Sequence, residues 1–327
     1  MSSARIQRVT FAGADGTSRL AARLDLPSSP PRAWALFAHC FACTHNVLAA
    51  SRIADGLTSQ GIAVLRFDFT GLGASEGDFA NTNFSSNLGD LLAAAAWLRA
   101  EHEAPALMIG HSLGGAAVLA AAGGIPEARA FCTIAAPSEP AHLAKALQPA
   151  VAEIEARGEA EVRLAGQTFR IKKQFLDDIA GHKLAQDVAH LGRPLLIFHS
   201  PRDETVSIDN AARLFALARH PKSFVSLDDA DHLLSRRADA ASVAGIIAAW
   251  VGRYLDEAEE AAAATPAPAE AEANVVVTEA GSGKYAQVVS VRGKHILRAD
   301  EPVAFGGTDT GPNPYEYLWP GWARARR

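Results

Sequence analysis

Apolar runs and helical hydrophobic patterns alternate along the first 255 residues of the chain. Stretches that are wholly or mostly apolar predict strands that are buried on both faces of a parallel sheet, at 33–38, 62–67, 106–109, 130–135 and 194–198. Between them, apolar residues recur at helical spacing, as over 47–60, 84–101 and 207–219. We therefore expect an α/β fold, a doubly wound and mostly parallel sheet covered by helices.

The alternation is interrupted at two places within this region. Residues 5–12 and 19–26 alternate around turn residues and predict an opening hairpin. Residues 138–191 instead combine helix patterns with a hairpin over 161–171, and they are too patterned to form a single long loop. We interpret this segment as a cap inserted over a site, the alternative being a solvated structural hairpin.

A second, short unit follows the main domain. Residues 256–273 consist almost entirely of alanine, glutamate and proline, which predicts a helix tail that runs into a linker. Residues 274–327 then begin a new series of short β-like stretches. The expected organisation is a domain at 1–255, a linker at 256–273 and a β-rich segment at 274–327.

Composition excludes several classes of protein. The 327 residues are 49% hydrophobic, and the net charge of −5 comes without a long basic stretch, which argues against a nucleic-acid or anionic-membrane partner. Apolar runs stay well short of the roughly 18 residues that span a bilayer, and the N-terminus lacks the apolar core of a signal peptide. Three cysteines argue against a disulfide framework, so we expect a cytoplasmic protein.

The main chemical signal is a Gly-His-Ser-Leu-Gly sequence at residues 110–114. It lies between an apolar strand and a helix of small residues. In this context Gly-x-Ser-x-Gly is typical of a sharp turn that exposes a nucleophilic serine, here Ser112. A serine before a helix is also a common helix cap, and the pattern alone does not separate the two.

A serine nucleophile needs a base and an acid, and both are predicted downstream. His232 and Asp203 follow predicted strands, at the sheet edge where Ser112 projects, and the order serine, aspartate, histidine suits this architecture. The alternatives for the two roles are His39, His45, His111, Glu204 and Asp68.

An oxyanion hole needs two backbone N–H donors, which we assign to Leu113 and Phe41. The Phe41 assignment has an uncertain register, because Cys40 stands where a glycine is usual. Cys40 and Cys43 form a Cys-x-x-Cys pattern, but a second cysteine pair that would complete a metal site is missing. The single Gly-x-Gly within 68–75 is too short for a dinucleotide fingerprint, so neither a cofactor nor a metal is expected.

Over about residues 5–255 the chain resembles the α/β-hydrolase superfamily, and within it the small serine esterases and acyl hydrolases. The resemblance is carried by four stretches, at 66–75, 110–115, 199–203 and 231–232. It implies a triad of Ser112, Asp203 and His232. It also implies an eight-stranded sheet with a cap between the sixth and seventh strands.

The C-terminal segment is similar to the first part of OsmC-like proteins, which reduce organic hydroperoxides with two cysteines. The stretches that carry this likeness are 299–302, 306–312 and 313–318. No cysteine follows Cys132, so peroxidase activity is not expected of this chain. The hypothesis is a shortened hydrolase–OsmC fusion, through a reading-frame change near Leu318, whose tail is a candidate homo-oligomerisation element.

The function expected from these features is a serine hydrolase that cleaves small-molecule carboxylic esters, with short to medium acyl chains, through an acyl-enzyme on Ser112. The same triad would also suit a thioesterase, a peptidase or an acyltransferase. A non-enzymatic protein that oligomerises through its tail is the alternative from another class.

Overall fold

A computed structural model describes residues 5–40, 44–45, 47–164, 167–263, 275–280, 284–292, 294–313 and 316. The chain divides into two compact units, Met1–Tyr254 and Leu255–Arg327. The strands of the first unit are β1 (Arg5–Ala12), β2 (Arg19–Leu26), β3 (Ala33–Ala38), β4 (Ile62–Phe67), β5 (Leu107–His111), β6 (Ala130–Ile134), β7 (Glu159–Leu164), β8 (Gln167–Lys172), β9 (Leu195–His199) and β10 (Lys222–Ser226).

The α-helices, in chain order, are α1 (Leu48–Thr58), α2 (Phe84–Glu101), α3 (Leu113–Ala120), α4 (Leu143–Ala146), α5 (Gln148–Arg157), α6 (Lys173–Gly181), α7 (Leu184–Ala189), α8 (Asp209–Leu217) and α9 (Arg237–Ala263). None of the helices in the described ranges is long and apolar enough to cross a membrane.

Eight strands form one sheet in the order β1-β2-β4-β3-β5-β6-β9-β10. Strand β2 is antiparallel to both of its neighbours, and the other pairs are parallel. Every residue of β3, β4, β5, β6 and β9 is buried, as expected for strands covered on both faces. The predicted doubly wound, mostly parallel α/β fold is confirmed.

The cap lies between β6 and β9, and consists of α4 to α7 with the antiparallel hairpin β7–β8. It is held to the start of α2 by polar contacts: the Ser85 hydroxyl donates to Asp178 at 2.6 Å and lies 2.9 Å from His182 Nε2. The Phe79 and Phe169 rings also pack against each other, with their centroids 4.9 Å apart. The cap is therefore attached along the residues that lead into α2.

The second unit contains a separate antiparallel sheet of β11 (Val275–Glu279), β12 (Gln287–Val291) and β13 (His295–Ala299), in that order. After β13, the Asp300 carboxylate accepts hydrogen bonds from Thr308 and Thr310. The β-rich character of this segment agrees with the sequence pattern. Its OsmC-like identity stays a prediction.

Candidate active site

Ser112 occupies the turn between β5 and α3, with φ +54° and ψ −126°. This is a conformation that non-glycine residues rarely adopt and that costs of order 1–3 kcal/mol. A Cβ at Gly110 would lie 2.2 Å from the Gly114 carbonyl oxygen, and one at Gly114 would lie 2.4 Å from the Ala38 carbonyl oxygen. Both glycines are required because backbone approaches them this closely.

His232 reaches Ser112 from the loop between β10 and α9. Its Nε2 lies 3.0 Å from the Ser112 hydroxyl oxygen, and its Nδ1 lies 2.8 Å from Asp203 Oδ2. With the proton on Nδ1 donated to the carboxylate, Nε2 is free to accept the serine proton. The structure thus brings the three predicted residues into one hydrogen-bonded chain.

Asp203 lies in the loop after β9, and its side chain is buried. Burial by itself raises the pKa of this carboxyl, but hydrogen bonds from His232 and from the Val206 and Thr205 backbone outweigh burial and leave the pKa below its usual value. The backbone bonds go to Oδ1, at 2.8 and 2.9 Å, which leaves Oδ2 for His232. Glu204, the neighbouring alternative, is exposed.

His111, the residue before the nucleophile, contacts the base directly. Its Nε2 donates to the His232 backbone carbonyl at 2.7 Å, and the two rings lie 5.3 Å apart. Burial, followed by the nearby His232, lowers the pKa of His111 to about 4, so the ring is neutral at pH 7. The sequence offers His111 as an alternative base, and it does not predict this contact, because nothing local indicates a contact with a residue 121 positions away.

His199 is a second histidine that the sequence did not single out as an individual site residue. It is fully buried at the end of β9, with Nε2 2.7 Å from the Val206 carbonyl oxygen and 3.6 Å from Asp203 Oδ2. Burial lowers the pKa of this imidazole. The loop that carries Asp203 therefore packs against a buried, neutral imidazole.

The other candidate residues belong to a different cluster. His39 and His45 both lie against Asp68, with ring nitrogens 3.8 and 2.7 Å from its carboxylate oxygens. Among the hydrogen bonds of the described ranges, none links His39 or His45 to Ser112. They are not alternatives to His232 in this arrangement.

Leu113, one of the two predicted oxyanion donors, is the first residue of α3, where backbone N–H groups lack partners within the helix. Phe41, the other, lies outside the described residues, as does Cys43. Cys40 is buried and disulfide-bonded, and Cys132 is free, with burial raising the pKa of its thiol. Within the described ranges, we find no group of three His, Cys, Asp or Glu side chains that could hold a metal ion.

A cavity of about 440 Å³ opens above Ser112, between the cap and the loop that carries Asp203. This volume lies within the range of small-molecule sites. Besides Ser112, its lining is apolar at Leu113, Pro137, Leu143 and Val206, and polar at His142, Lys145, Glu204, Thr205 and Ser207. The cavity therefore suits a small ligand with an apolar part and a polar part.

Comparison with known proteins finds a family of hydrolases and an esterase domain. The family model of the hydrolases described as "Serine aminopeptidase, S33" matches residues 29–158. The chain is 55% identical to the esterase domain of a Rhodothermus marinus protein, with 77% of this chain and 99% of that domain covered and a TM-score of 0.64.

Two curated proteins are more distant relatives. The mouse mitochondrial palmitoyl-protein thioesterase ABHD10 is 28% identical over 202 residues, which cover 59% of this chain and 67% of the relative. The uncharacterised protein YfhR of Salmonella typhi is 26% identical over 241 residues, covering 70% of this chain and 75% of the relative.

Proposed function

Because this chain belongs to the α/β-hydrolase family, we propose that it is a serine hydrolase that cleaves carboxylic esters through an acyl-enzyme on Ser112. The observation that carries the proposal is the hydrogen-bonded chain from Ser112 through His232 to Asp203 at the floor of a cavity. The 55% identity to an esterase domain supports the same reaction class.

In the proposed acylation step, the Ser112 hydroxyl oxygen attacks the ester carbonyl carbon while its proton passes to His232 Nε2. The charge that develops on the carbonyl oxygen is stabilised by backbone N–H groups, which we assign to Leu113 and Phe41. His232 then protonates the leaving alcohol. A water molecule hydrolyses the acyl-enzyme by the same route.

Asp203 and His111 both lie next to His232, which becomes an imidazolium during this step. The ionised Asp203 carboxylate at Nδ1 stabilises the imidazolium. His111, although adjacent, is neutral and therefore adds no repulsive charge.

For the substrate, we propose an ester with a short to medium acyl chain. A cavity of about 440 Å³ is large enough for such a chain, and Leu143 and Val206 provide apolar contacts for it. The polar residues of the lining suit the ester and alcohol groups. The cap supplies several lining residues, so the acyl preference is assigned to this segment.

The test is labelling with a fluorophosphonate, followed by peptide mass spectrometry, together with ester turnover by two serine variants. Ser112→Ala should form no adduct. Its rate of ester turnover should be lower by on the order of 10⁴-fold or more. Ser85→Ala is a matched control, because its hydroxyl also contacts an aspartate and a histidine, at the base of the cap. Undiminished turnover by Ser112→Ala would refute the proposal.

A thioesterase is the second candidate, favoured by the similarity to a mouse palmitoyl-protein thioesterase. The two functions share Ser112 and differ in the leaving group. Turnover of matched esters, thioesters and aminopeptides with one acyl group would rank them. Preference for the thioester at equal acyl chain length would select the second candidate.

We also propose that the protein is cytoplasmic. For the C-terminal unit, we propose that it is an OsmC-like element through which the chain forms homo-oligomers. Gel filtration of the full chain beside a chain ending at Glu257, with ester turnover measured on both, tests the oligomerisation. If both chains elute with the same number of subunits, the C-terminal unit does not drive oligomerisation.

A further inference from the structure

Asn210, in the first turn of α8, joins two loops that line the cavity above Ser112. Its side-chain oxygen accepts the Ser138 backbone N–H and the Ser138 hydroxyl, both at 3.0 Å, and its amide nitrogen donates to the Ser207 carbonyl oxygen at 2.9 Å. Asn210 and Ser138 are 7% and 3% exposed, so these bonds satisfy buried polar groups. One buried amide therefore links the loop after β6 to the loop after β9.

The two loops present opposite requirements to this side chain. The Ser138 N–H is a donor and needs the Asn210 oxygen, whereas the Ser207 carbonyl oxygen is an acceptor and needs the Asn210 amide nitrogen. An ionised aspartate or a leucine has a similar shape, but neither has a donor for the second loop. The amide of Asn210 thus satisfies both loops at once.

The loop after β6 is packed against α3 before it enters the cap. A Cβ at Gly115 would lie 2.5 Å from the Ala136 Cβ, so Ala136 is in close contact with the first turns of α3. Pro137, the next residue, lines the cavity. Ser138 follows, and the cap begins beyond it. The bonds between Ser138 and Asn210 therefore hold the cavity wall at Pro137, where the chain leaves the sheet for the cap.

Ser207 belongs to the loop that carries Asp203, and it also lines the cavity. The part of this loop nearer Asp203 is held by other bonds. The Val206 N–H donates to the Asp203 carboxylate at 2.8 Å, and His199 Nε2 donates to the Val206 carbonyl oxygen at 2.7 Å. Among the hydrogen bonds of the described ranges, none joins Asn210 to the proposed triad. Asn210 therefore holds the cavity wall without holding the reacting groups.

We propose that Asn210 is a positioning residue for substrate specificity, which sets the spacing of Pro137 and Ser207 and thereby the width of the acyl group that the cavity admits. The proposal rests on the proposed function. Protein interiors are closely packed, so the fit of a branched acyl group depends on small shifts of the lining residues. A wall held on both sides excludes wide acyl groups, whereas a wall released at Asn210 moves apart to admit them.

The test compares kcat/KM for a branched trimethylacetate ester with kcat/KM for an acetate ester of the same alcohol. Asn210→Ala should raise this ratio by about fivefold or more over the wild type. Its rate of labelling at Ser112 by a small ethyl fluorophosphonate should stay within about twofold of the wild-type rate, because the triad is held by other bonds. A purely structural role would lower turnover of both esters and labelling together. Ser138→Ala loses one of its two bonds to Asn210 and should raise the ratio by less.

Asp90→Ala is the matched control. Asp90 is also buried on a helix and joins two loops, by accepting the Ala14 and Thr70 N–H groups, but it is not among the residues that line the cavity. If Asn210→Ala does not fold, the ratio in Ser138→Ala decides.

Three results overturn this proposal alone: a ratio within about twofold of the wild type, an equal change of the ratio in Asp90→Ala, or a labelling rate that falls about tenfold or more in Asn210→Ala. A wild type that neither cleaves esters nor reacts at Ser112 overturns the proposed function as well.

Discussion

His111 Nε2 donates to the backbone carbonyl of His232 at 2.7 Å, which ties the turn of the proposed nucleophile to the loop of the proposed base. The contact requires a proton on Nε2 and leaves Nδ1 without one. Because His111 is 4% exposed, protonation of its second nitrogen would place a charge in the core beside His232. The consequence is a dependence of stability on pH.

Between pH 6.5 and about 4, the unfolded chain binds a proton at residue 111 that the folded chain does not, because the pKa of His111 in the folded protein is about 4. The free energy of unfolding should therefore decrease as the pH is lowered through this range, by up to about 3 kcal/mol from this group. His111→Asn should unfold in urea with a shallower pH dependence. Equal slopes for wild type and variant would contradict the prediction.

Asp203→Asn should fold normally but lose on the order of 10⁴-fold in kcat. The amide oxygen can still accept the Thr205 and Val206 N–H bonds, but the amide nitrogen then faces His232 Nδ1 and favours the wrong tautomer. Steady-state kinetics and the rate of fluorophosphonate labelling measure the effect. Asp90→Asn is the control, because Asp90 is also a buried carboxylate that accepts two backbone N–H bonds. An equal loss in it would show that Asp203 has no special role.

Gly114→Ala should lower the free energy of unfolding by about 1–3 kcal/mol, because its Cβ would meet the Ala38 and His39 carbonyl oxygens at 2.4 and 2.5 Å. Gly123→Ala, at a position where a Cβ meets nothing within 4 Å, is the control for adding a methyl group. Urea unfolding of both variants measures the difference. If both substitutions lower the free energy of unfolding equally, the close backbone approach at Gly114 is not the reason that glycine is required there.

Leu143→Trp should shift the acyl preference towards short chains, because the larger side chain fills part of the cavity above Ser112. We expect the ratio of kcat/KM for an octanoate ester to that for an acetate ester to fall about tenfold or more. Leu217→Trp, at an exposed position on α8, should leave the ratio unchanged. If the ratio is unchanged in Leu143→Trp, the cap does not determine the acyl preference.

The order of strands and helices follows from the sequence itself, because burial on both faces of a strand or on one face of a helix leaves a local periodic pattern. Helix α2 illustrates this: the predicted range 84–101 is the observed one, with Asn83 as its cap. The sequence likewise predicts the nucleophile, acid and base, because a sharp turn and a strand end each leave a short local signal. These signals lie around Ser112 and, after it in order, at Asp203 and His232.

The tertiary structure alone decided which side chains meet across the sheet. Three features join residues far apart in the chain: the contact of His111 with the His232 carbonyl, the hydrogen bonds of Asp68 and Arg66 to the His45 backbone, and the cavity lined by Leu143 and Val206. No local pattern encodes such contacts, because they depend on how the cap and the loops pack against the sheet. For this reason the reaction class was predicted from the sequence, while the support of the site and its acyl cavity were not.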